Sequence, residues 1–90
     1  MELNLSRDAQ KFIAKLETKQ ARQIAIRIKE LKELGHLHDS KKLKGTATDY
    51  YRIDAGEFRI VYEIKDNIIF VLVVGKRNDN EVYNQFKRKI

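Results

Sequence analysis

Three arginines and a tyrosine are the residues of this chain whose types and spacing suit chemistry. Arg52 and Arg59 stand on two adjacent predicted strands, and Arg77 follows Gly75 at the end of the next one. A guanidinium fork matches the oxygens of a phosphate group, so arginines held on a sheet bind phosphate well. Tyr83 follows shortly afterwards and offers a phenol for proton transfer. Together these residue types predict a site for an RNA phosphodiester.

The reaction that suits this group is attack of an RNA 2′-hydroxyl on its own 3′-phosphate. Tyr83 would take the hydroxyl proton, while Arg52 and Arg59 would bind the phosphate. Arg77 would stabilise the transition state or protonate the leaving oxygen. A phenol is a weak base at neutral pH because its usual pKa is about 10, but nearby positive charge favours the phenolate. Such a site would gain from a host that positions the RNA.

Ordinary structural roles explain the same residues. Arg77 would then be a strand-end cation in water, and Tyr83 a half-buried packing side chain.

His36 and His38 form a His-x-His pair that suits metal binding or acid–base work. No carboxylate or cysteine cluster stands near them in sequence, so we expect solvated loop histidines and no metal site.

The composition predicts one small domain over residues 1–90 with an anionic partner. The net charge of +6 suits nucleic acid, although a lysine-rich surface or an acidic protein partner would also explain it. The absence of cysteine excludes disulfides and thiol catalysis. No nucleotide-binding loop is present and the carboxylates are scattered, so we expect no cofactor.

The longest apolar run, Ile68–Val74, is too short for a membrane span, so we expect no membrane partner. No signal peptide is evident, so we expect a cytoplasmic protein.

The N-terminal half predicts a strand followed by two helices. Leu3 and Leu5 alternate with polar residues, Ser6 is a good N-cap, and Thr18 can cap the second helix, which ends near Gly35. The segment 36–49 is polar and predicts an ordered loop. The apolar stripes of the two helices are Ala9, Phe12, Ile13 and Leu16, then Ala21, Ile24, Ile28 and Leu31.

The C-terminal half predicts a meander of three antiparallel strands and a short helix. The hydrophobic period becomes two, and turns are expected at Ala55–Gly56 and Asp66–Asn67. Ile68–Val74 is apolar throughout and predicts a central strand covered on both faces. A last helix begins near Asn80. The fold class is therefore α+β, a small single domain. The last helix would dock through Val82, Phe86 and Ile90.

The first hairpin determines how the arginines meet. A turn at Ala55–Gly56 would place Arg52 directly opposite Arg59, and like charges in that position destabilise a sheet. An anion between them would remove the penalty. Diagonal pairing of Arg52 with Glu57, and of Asp54 with Arg59, would neutralise the face equally well.

The last strand must change phase for Arg77 to join this face. Strict alternation would place Arg77 on the core face of the sheet, away from the face that carries Arg59. We therefore expect the strand to end or bulge near Gly75, where glycine also permits a close backbone approach. The second turn would place Phe70, Leu72 and Val74 on the same face as Arg59. That face is too apolar to stay bare, so the last helix or a partner segment should cover it.

These residues resemble the RelE/ParE toxin superfamily, and within it the RelE-type mRNA interferases. The resemblance covers the C-terminal half by motif and the remainder by size and element order. The matching segments are Leu43–Gly45, Tyr51–Ile53, Gly56–Tyr62, Val74–Arg77 and Glu81–Tyr83.

The resemblance implies the toxin of a type II toxin–antitoxin pair, a metal-independent endoribonuclease that cuts mRNA in the ribosomal A site. Its implied partners are the ribosome, mRNA and a small cognate antitoxin. Arg59 and Arg77 match the family's phosphate-binding and catalytic arginines, and Tyr83 matches its general base. Arg52 stands where members have a basic residue. The matching segments add two lysines as further phosphate-binding candidates, Lys44 and Lys76.

One departure from the family weakens the nuclease hypothesis. Asp54 stands where well-studied members have a second lysine, and a carboxylate repels phosphate and can pair with Arg59. Two alternatives therefore stay open. The first is a ParE-like toxin that inhibits DNA gyrase by binding, and the second is a member that binds RNA or antitoxin without catalysis.

Overall fold

Strand β1 (Glu2–Leu5) leads directly into helix α1 (Arg7–Ala14) through Ser6, as expected. The computed structural model describes residues 1–43, 49–78 and 81–89. Ser6 Oγ accepts a hydrogen bond from the Ala9 backbone N–H at 3.1 Å, which caps the helix. The same hydroxyl donates to the Leu72 carbonyl, so the cap also fastens α1 to the sheet.

Helix α2 (Thr18–Leu34) packs by the predicted stripe and ends at Gly35, which has a positive φ of 75°. Thr18 is not its cap, so that prediction was wrong. Glu17 is the N-cap, and its backbone N–H lies 3.4 Å from Gln20 Oε1 in a capping box. Thr18 already has helical geometry as the first residue of the helix, which leaves the capping role to Glu17.

The predicted three-strand meander is confirmed within a larger sheet. It consists of β3 (Tyr51–Ala55), β4 (Phe58–Lys65) and β5 (Ile68–Lys76), all antiparallel. A two-residue strand, β2 (Lys41–Lys42), pairs with β3, so the segment 36–49 is not entirely loop. Strand β1 pairs in parallel with β5 at the other edge.

The five strands therefore follow the order β1-β5-β4-β3-β2. Strand β5 is an interior strand, but β4 takes the centre that the sequence had assigned to β5. The reason is the pairing of β1 and β2 at the two edges. Alternation can predict β1 as a strand but not its pairing with a strand far along the chain, and a two-residue strand is too short to show a period.

The turn between β3 and β4 lies one residue later than predicted. Ala55 pairs with Phe58, so Gly56 and Glu57 form the turn, with φ of 62° at Gly56. Each strand residue consequently meets a partner two positions further along. Such a shift leaves every side chain on its own face, so hydrophobic alternation cannot detect it. By contrast, the Asp66–Asn67 turn is confirmed, because both residues have a positive φ.

This register changes the charge pairing across the hairpin. Arg59 is directly opposite Asp54, and Arg52 is opposite Val61. The predicted face-to-face pair of Arg52 and Arg59 is therefore wrong. The opposite charges of Asp54 and Arg59 attract each other across the hairpin and so stabilise the pairing of β3 with β4.

A β-bulge changes the phase of β5, but earlier than expected. Val61 pairs with Val73 and Tyr62 with Val71, which leaves Leu72 as the extra residue. The prediction located the change near Gly75. Because of the bulge, Val74 faces the main core, and its predicted place beside Arg59 was wrong. The bulge also brings Gly75 opposite Arg59.

Hydrophobic clusters cover both faces of the sheet. Helices α1 and α2 cover the larger one. On the other face, α3 (Glu81–Lys89) covers Val61 and Val73 with Val82 and Phe86. Coverage of that face by the last helix is thus confirmed at Leu72, while Phe70 is not part of this cluster. Asn80 and Ile90 lie outside the described residues. The main cluster comprises Ala9, Ile24, Ile28, Leu31, Ile53, Ala55, Phe58, Ile60, Tyr62, Ile69, Val71 and Val74.

No helix in the described part of the chain is both long enough and apolar enough to cross a membrane.

Gly75 permits the close approach of α3 to β5. A Cβ at this position would lie 2.5 Å from Val82 Cγ2, so the Val82 side chain or the helix would have to move. We expect Gly75→Ala to lower the free energy of unfolding by about 1–3 kcal/mol, measured by urea denaturation. In a Val82→Ala background, which lacks the clashing methyl group, the same change should cost less. An equal cost in both backgrounds would contradict this explanation.

Candidate active site

Arg59 is the centre of the site, because its guanidinium connects three elements of the fold. Its Nε donates a hydrogen bond to Asp54 Oδ1 at 2.9 Å, and its Nη1 donates to Tyr83 Oη. The side chain is only 16% exposed, and its Cζ lies 5.8 Å from the centre of the Tyr83 ring. The guanidinium is therefore held in one orientation by β3 on one side and α3 on the other.

The electrostatics of Arg59 follow from these partners. Burial alone would lower the pKa of the Arg59 guanidinium. The hydrogen bond with Asp54 and the charges of Asp54 and Tyr83 outweigh burial and raise that pKa. Arg59 thus remains a cation while it contacts the phenol.

Arg77 joins Arg59 at the same carboxylate. Its Nη1 lies 3.7 Å from Asp54 Oδ2, and its side chain is 47% exposed. The Arg77 backbone N–H donates to the Glu57 carbonyl at 3.0 Å, which ties the end of β5 to the β3–β4 turn. Arg59 therefore contacts Tyr83 on one side and shares the Asp54 carboxylate with Arg77 on the other.

Of the other basic candidates within the described residues, Arg52 lies beside this group and Lys76 does not. Arg52 lines a cavity of about 320 Å³ together with Asp54 and Arg59. Lys76 is exposed at the end of β5 and pairs with Phe58, whose side chain is in the core on the opposite face from Arg59. Lys44 lies outside the described residues.

Three polar residues near the site were missed from the sequence. Arg27 of α2 donates from Nε to the Asp54 carbonyl at 3.0 Å and from Nη2 to Asp39 Oδ2 at 2.6 Å. Asp39 and Lys41 line the same cavity as Arg52. Arg27 falls at helical spacing beside Ile24, so a cation next to an apolar stripe was a usable signal. Lys41 had none, since β2 is too short to show a period.

Arg27 and Asp39 form a strong surface pair. The hydrogen bond from Arg27 lowers the pKa of the Asp39 carboxyl, although its slight burial opposes this. The same bond raises the pKa of the Arg27 guanidinium. Both groups are therefore charged at neutral pH, and Arg27 joins the loop after α2 to the carbonyl of Asp54.

His36 and His38 are exposed, as expected, and His36 also contacts the face of the sheet opposite to Arg59. Its Nδ1 lies 2.9 Å from Tyr62 Oη, and its ring centre is 4.1 Å from that of Tyr51. Ser40 Oγ is 2.7 Å from the same Tyr62 oxygen. Burial raises the pKa of the Tyr62 phenol, which keeps it neutral within this cluster. Among the described residues, no group of three or more His, Cys, Asp or Glu could hold a metal ion.

Comparison with known proteins identifies the family. Residues 3–81 match the family described as the ParE toxin of type II toxin–antitoxin systems, parDE. A putative RelE-like toxin protein of Escherichia coli is 38% identical over 80 residues, covering 86% of this chain and 83% of the relative. The chain belongs to the RelE/ParE superfamily.

Solved structures of RelE toxins are similar to this chain in fold and in sequence. The isolated E. coli RelE toxin shares 29% identity and a TM-score of 0.72, with 99% of this chain and 98% of that chain covered. RelE in the intact E. coli RelBE toxin–antitoxin complex gives 29% identity, a TM-score of 0.71, and coverage of 83% and 94%. The protein is thus a RelE-like toxin of a type II toxin–antitoxin system.

Proposed function

We propose that this toxin is a ribosome-dependent endoribonuclease that cleaves mRNA in the ribosomal A site and so inhibits translation. The observation that carries the proposal is the contact of Arg59 with the Tyr83 hydroxyl, beside Arg77. Arg59 is a fixed cation in contact with the Tyr83 phenol, and Arg77 lies on the other side of the carboxylate that the two arginines share. This arrangement suits proton transfer by Tyr83 next to a phosphate bound by the arginines.

In the proposed reaction, the 2′-oxygen of the RNA forms a bond to the adjacent phosphorus while the bond from phosphorus to the 5′-oxygen breaks. The products are a 2′,3′-cyclic phosphate and a 5′-hydroxyl. Tyr83, as phenolate, takes the proton of the 2′-hydroxyl, and Arg59 stabilises that phenolate through its hydrogen bond. Arg77 stabilises charge on the leaving oxygen, which takes up a proton from solvent.

The remaining basic residues would bind RNA around the reacting phosphate. Arg52 lines the cavity next to Arg59, where a neighbouring nucleotide would be accommodated. Lys44 and Lys76 stay as proposed contacts with the RNA backbone. We propose that the ribosome orients the mRNA at this site.

A cognate antitoxin is the second proposed partner. RelE of E. coli was solved in complex with its antitoxin, and this chain shares its fold at 29% identity. The net charge of +6 suits an acidic antitoxin segment as well as RNA.

Mapping mRNA 5′ ends after adding the purified toxin to translating ribosomes tests the proposal. We expect new 5′ ends within the codon in the A site, and none on the same mRNA without ribosomes. A gyrase supercoiling assay on the same preparation tests the ParE-like alternative, which the family description and the charge of Asp54 favour. Gyrase inhibition without any ribosomal cleavage would contradict the nuclease proposal.

A further inference from the structure

The carboxylate of Asp54 lies where the proposed function requires the substrate phosphate. Its two oxygens face the two arginines separately, with Oδ1 2.9 Å from Arg59 Nε and Oδ2 3.7 Å from Arg77 Nη1. A phosphate group that bridged the same two guanidinium groups would need those donors. Carboxylate and phosphate therefore compete for one position.

We propose that Asp54 is an internal competitor that sets the affinity of this site for phosphate. The proposal rests on the proposed function only in identifying the ligand as a phosphate of RNA. In the unbound toxin Asp54 offsets one of the two positive charges of the arginine pair, and an incoming phosphate displaces its carboxylate. Asp54 is thus an affinity-determining residue and not a catalytic one.

The backbone of Asp54 is held while its carboxylate remains accessible. The hairpin register places Asp54 directly opposite Arg59, and Arg27 Nε donates to the Asp54 carbonyl at 3.0 Å. The Asp54 side chain is nevertheless 38% exposed, and it lines the cavity of about 320 Å³ beside Arg52. Rotation of the side chain into this cavity would free Arg59 and Arg77 without any change in the strand.

The charge of Asp54 acts on the phosphate even after displacement. A carboxylate a few ångströms from a bound phosphate repels it, and water and salt reduce this repulsion at a partly exposed position. Removal of the charge should therefore strengthen phosphate binding by about tenfold, an order-of-magnitude expectation for screened charges at this range.

Titration with inorganic phosphate tests the inference without ribosomes or cleavage. The probe is the Nε–Hε signal of Arg59 in NMR spectra of the isolated toxin, which reports directly on the group that Asp54 contacts. We expect Asp54→Asn to bind phosphate about tenfold more tightly than the unmodified chain. The matched control is Asp66→Asn, which changes the net charge equally at the far end of β4, roughly 20 Å away at about 3.3 Å per residue. Asn is well tolerated there because Asp66 has a positive φ of 52°.

The outcomes separate this inference from the proposed function. Equal phosphate affinity in Asp54→Asn and Asp66→Asn would show a simple effect of net charge and overturn the inference. Weaker binding by Asp54→Asn would also overturn it, by showing that Asp54 orients Arg59 for the ligand. Tighter binding with no ribosomal cleavage would support the inference and refute the nuclease proposal.

A measurement on the unmodified chain covers the case in which Asp54→Asn fails to fold. The carboxyl ¹³C signal of Asp54 should move during phosphate titration, because its two arginine contacts are lost. The signal of Asp49, which pairs with Lys42 at 2.9 Å on the neighbouring strand, should move much less. A stationary Asp54 signal at saturating phosphate would overturn the inference.

Discussion

Tyr83→Phe is expected to slow mRNA cleavage on the ribosome by about 10²- to 10⁴-fold, the usual contribution of a general acid or base. The substitution removes the oxygen that accepts a hydrogen bond from Arg59 and keeps the ring that lies 5.8 Å from its Cζ. Packing of α3 should therefore persist, since Val82 and Phe86 make the buried contacts of that helix. The measurement is the single-turnover cleavage rate on ribosomes with a defined A-site codon and excess toxin.

The matched control for this loss is Tyr51→Phe. Tyr51 lies on the opposite face of the sheet, where its ring contacts His36 and stacks on Tyr62. Tyr51→Phe also removes one phenol oxygen but leaves Arg59, Arg77 and Tyr83 unchanged, so the cleavage rate should change little. If Tyr83→Phe cleaved as fast as the unmodified toxin, Tyr83 could not be the base, and the proton would have to go to another acceptor.

Arg59→Ala is expected to reduce the cleavage rate by about 10²- to 10³-fold, comparable to the loss of a preorganised donor at a reacting oxygen. It removes a cation that contacts both Asp54 and Tyr83. Loss of Arg59 leaves the Asp54 carboxylate with Arg77 alone, at 3.7 Å, and so leaves the site less positive. Single-turnover rates and ribosome binding, measured separately, show whether the chemical step or the association is affected.

Arg59→Lys is the informative companion to this change, because it keeps the charge and removes the fork. A lysine ammonium cannot present the planar pair of donors that reaches Asp54 and Tyr83 at once. We therefore expect a rate between those of Arg59→Ala and the unmodified chain. Full activity in Arg59→Lys would show that charge alone matters at this position and would contradict the orienting role of Arg59. Arg22→Ala, an exposed change on α2, serves as the control for arginine loss elsewhere.

Much of the fold could be predicted because it depends on local signals. Ser6 caps α1 by its hydroxyl, and the Asp66–Asn67 turn follows from two residues that tolerate positive φ. The stripe of α2 separates core from surface by period alone. The alternation of β4 separates its two faces but not their burial, because Val61 on the outer face is buried under α3. The strand β2 and the parallel pairing of β1 with β5 were not predictable, because they rest on contacts between distant segments.

Residue type, spacing and resemblance point to Arg59, Arg77 and Tyr83 as candidates, but they do not predict how these residues are arranged. In the structure Arg59 contacts Tyr83 and shares a carboxylate with Arg77. Their relation to Asp54 depends on two non-local features, the β3–β4 register and the bulge at Leu72. Arg27 was missed for a similar reason, since its contact with the Asp54 carbonyl joins α2 to β3 across 27 positions of the chain.

Local period and side-chain chemistry are enough to predict the α+β class, the faces of the strands and the candidate arginines and tyrosine. The register of the folded hairpin is needed to place Asp54 opposite Arg59, where a second arginine was expected. Alternation has a period of two, so a register shift that moves every partner by two residues preserves each face and is invisible to it. That single shift replaces a repulsive pair by an ion pair, and it puts an internal anion at the position proposed for the phosphate.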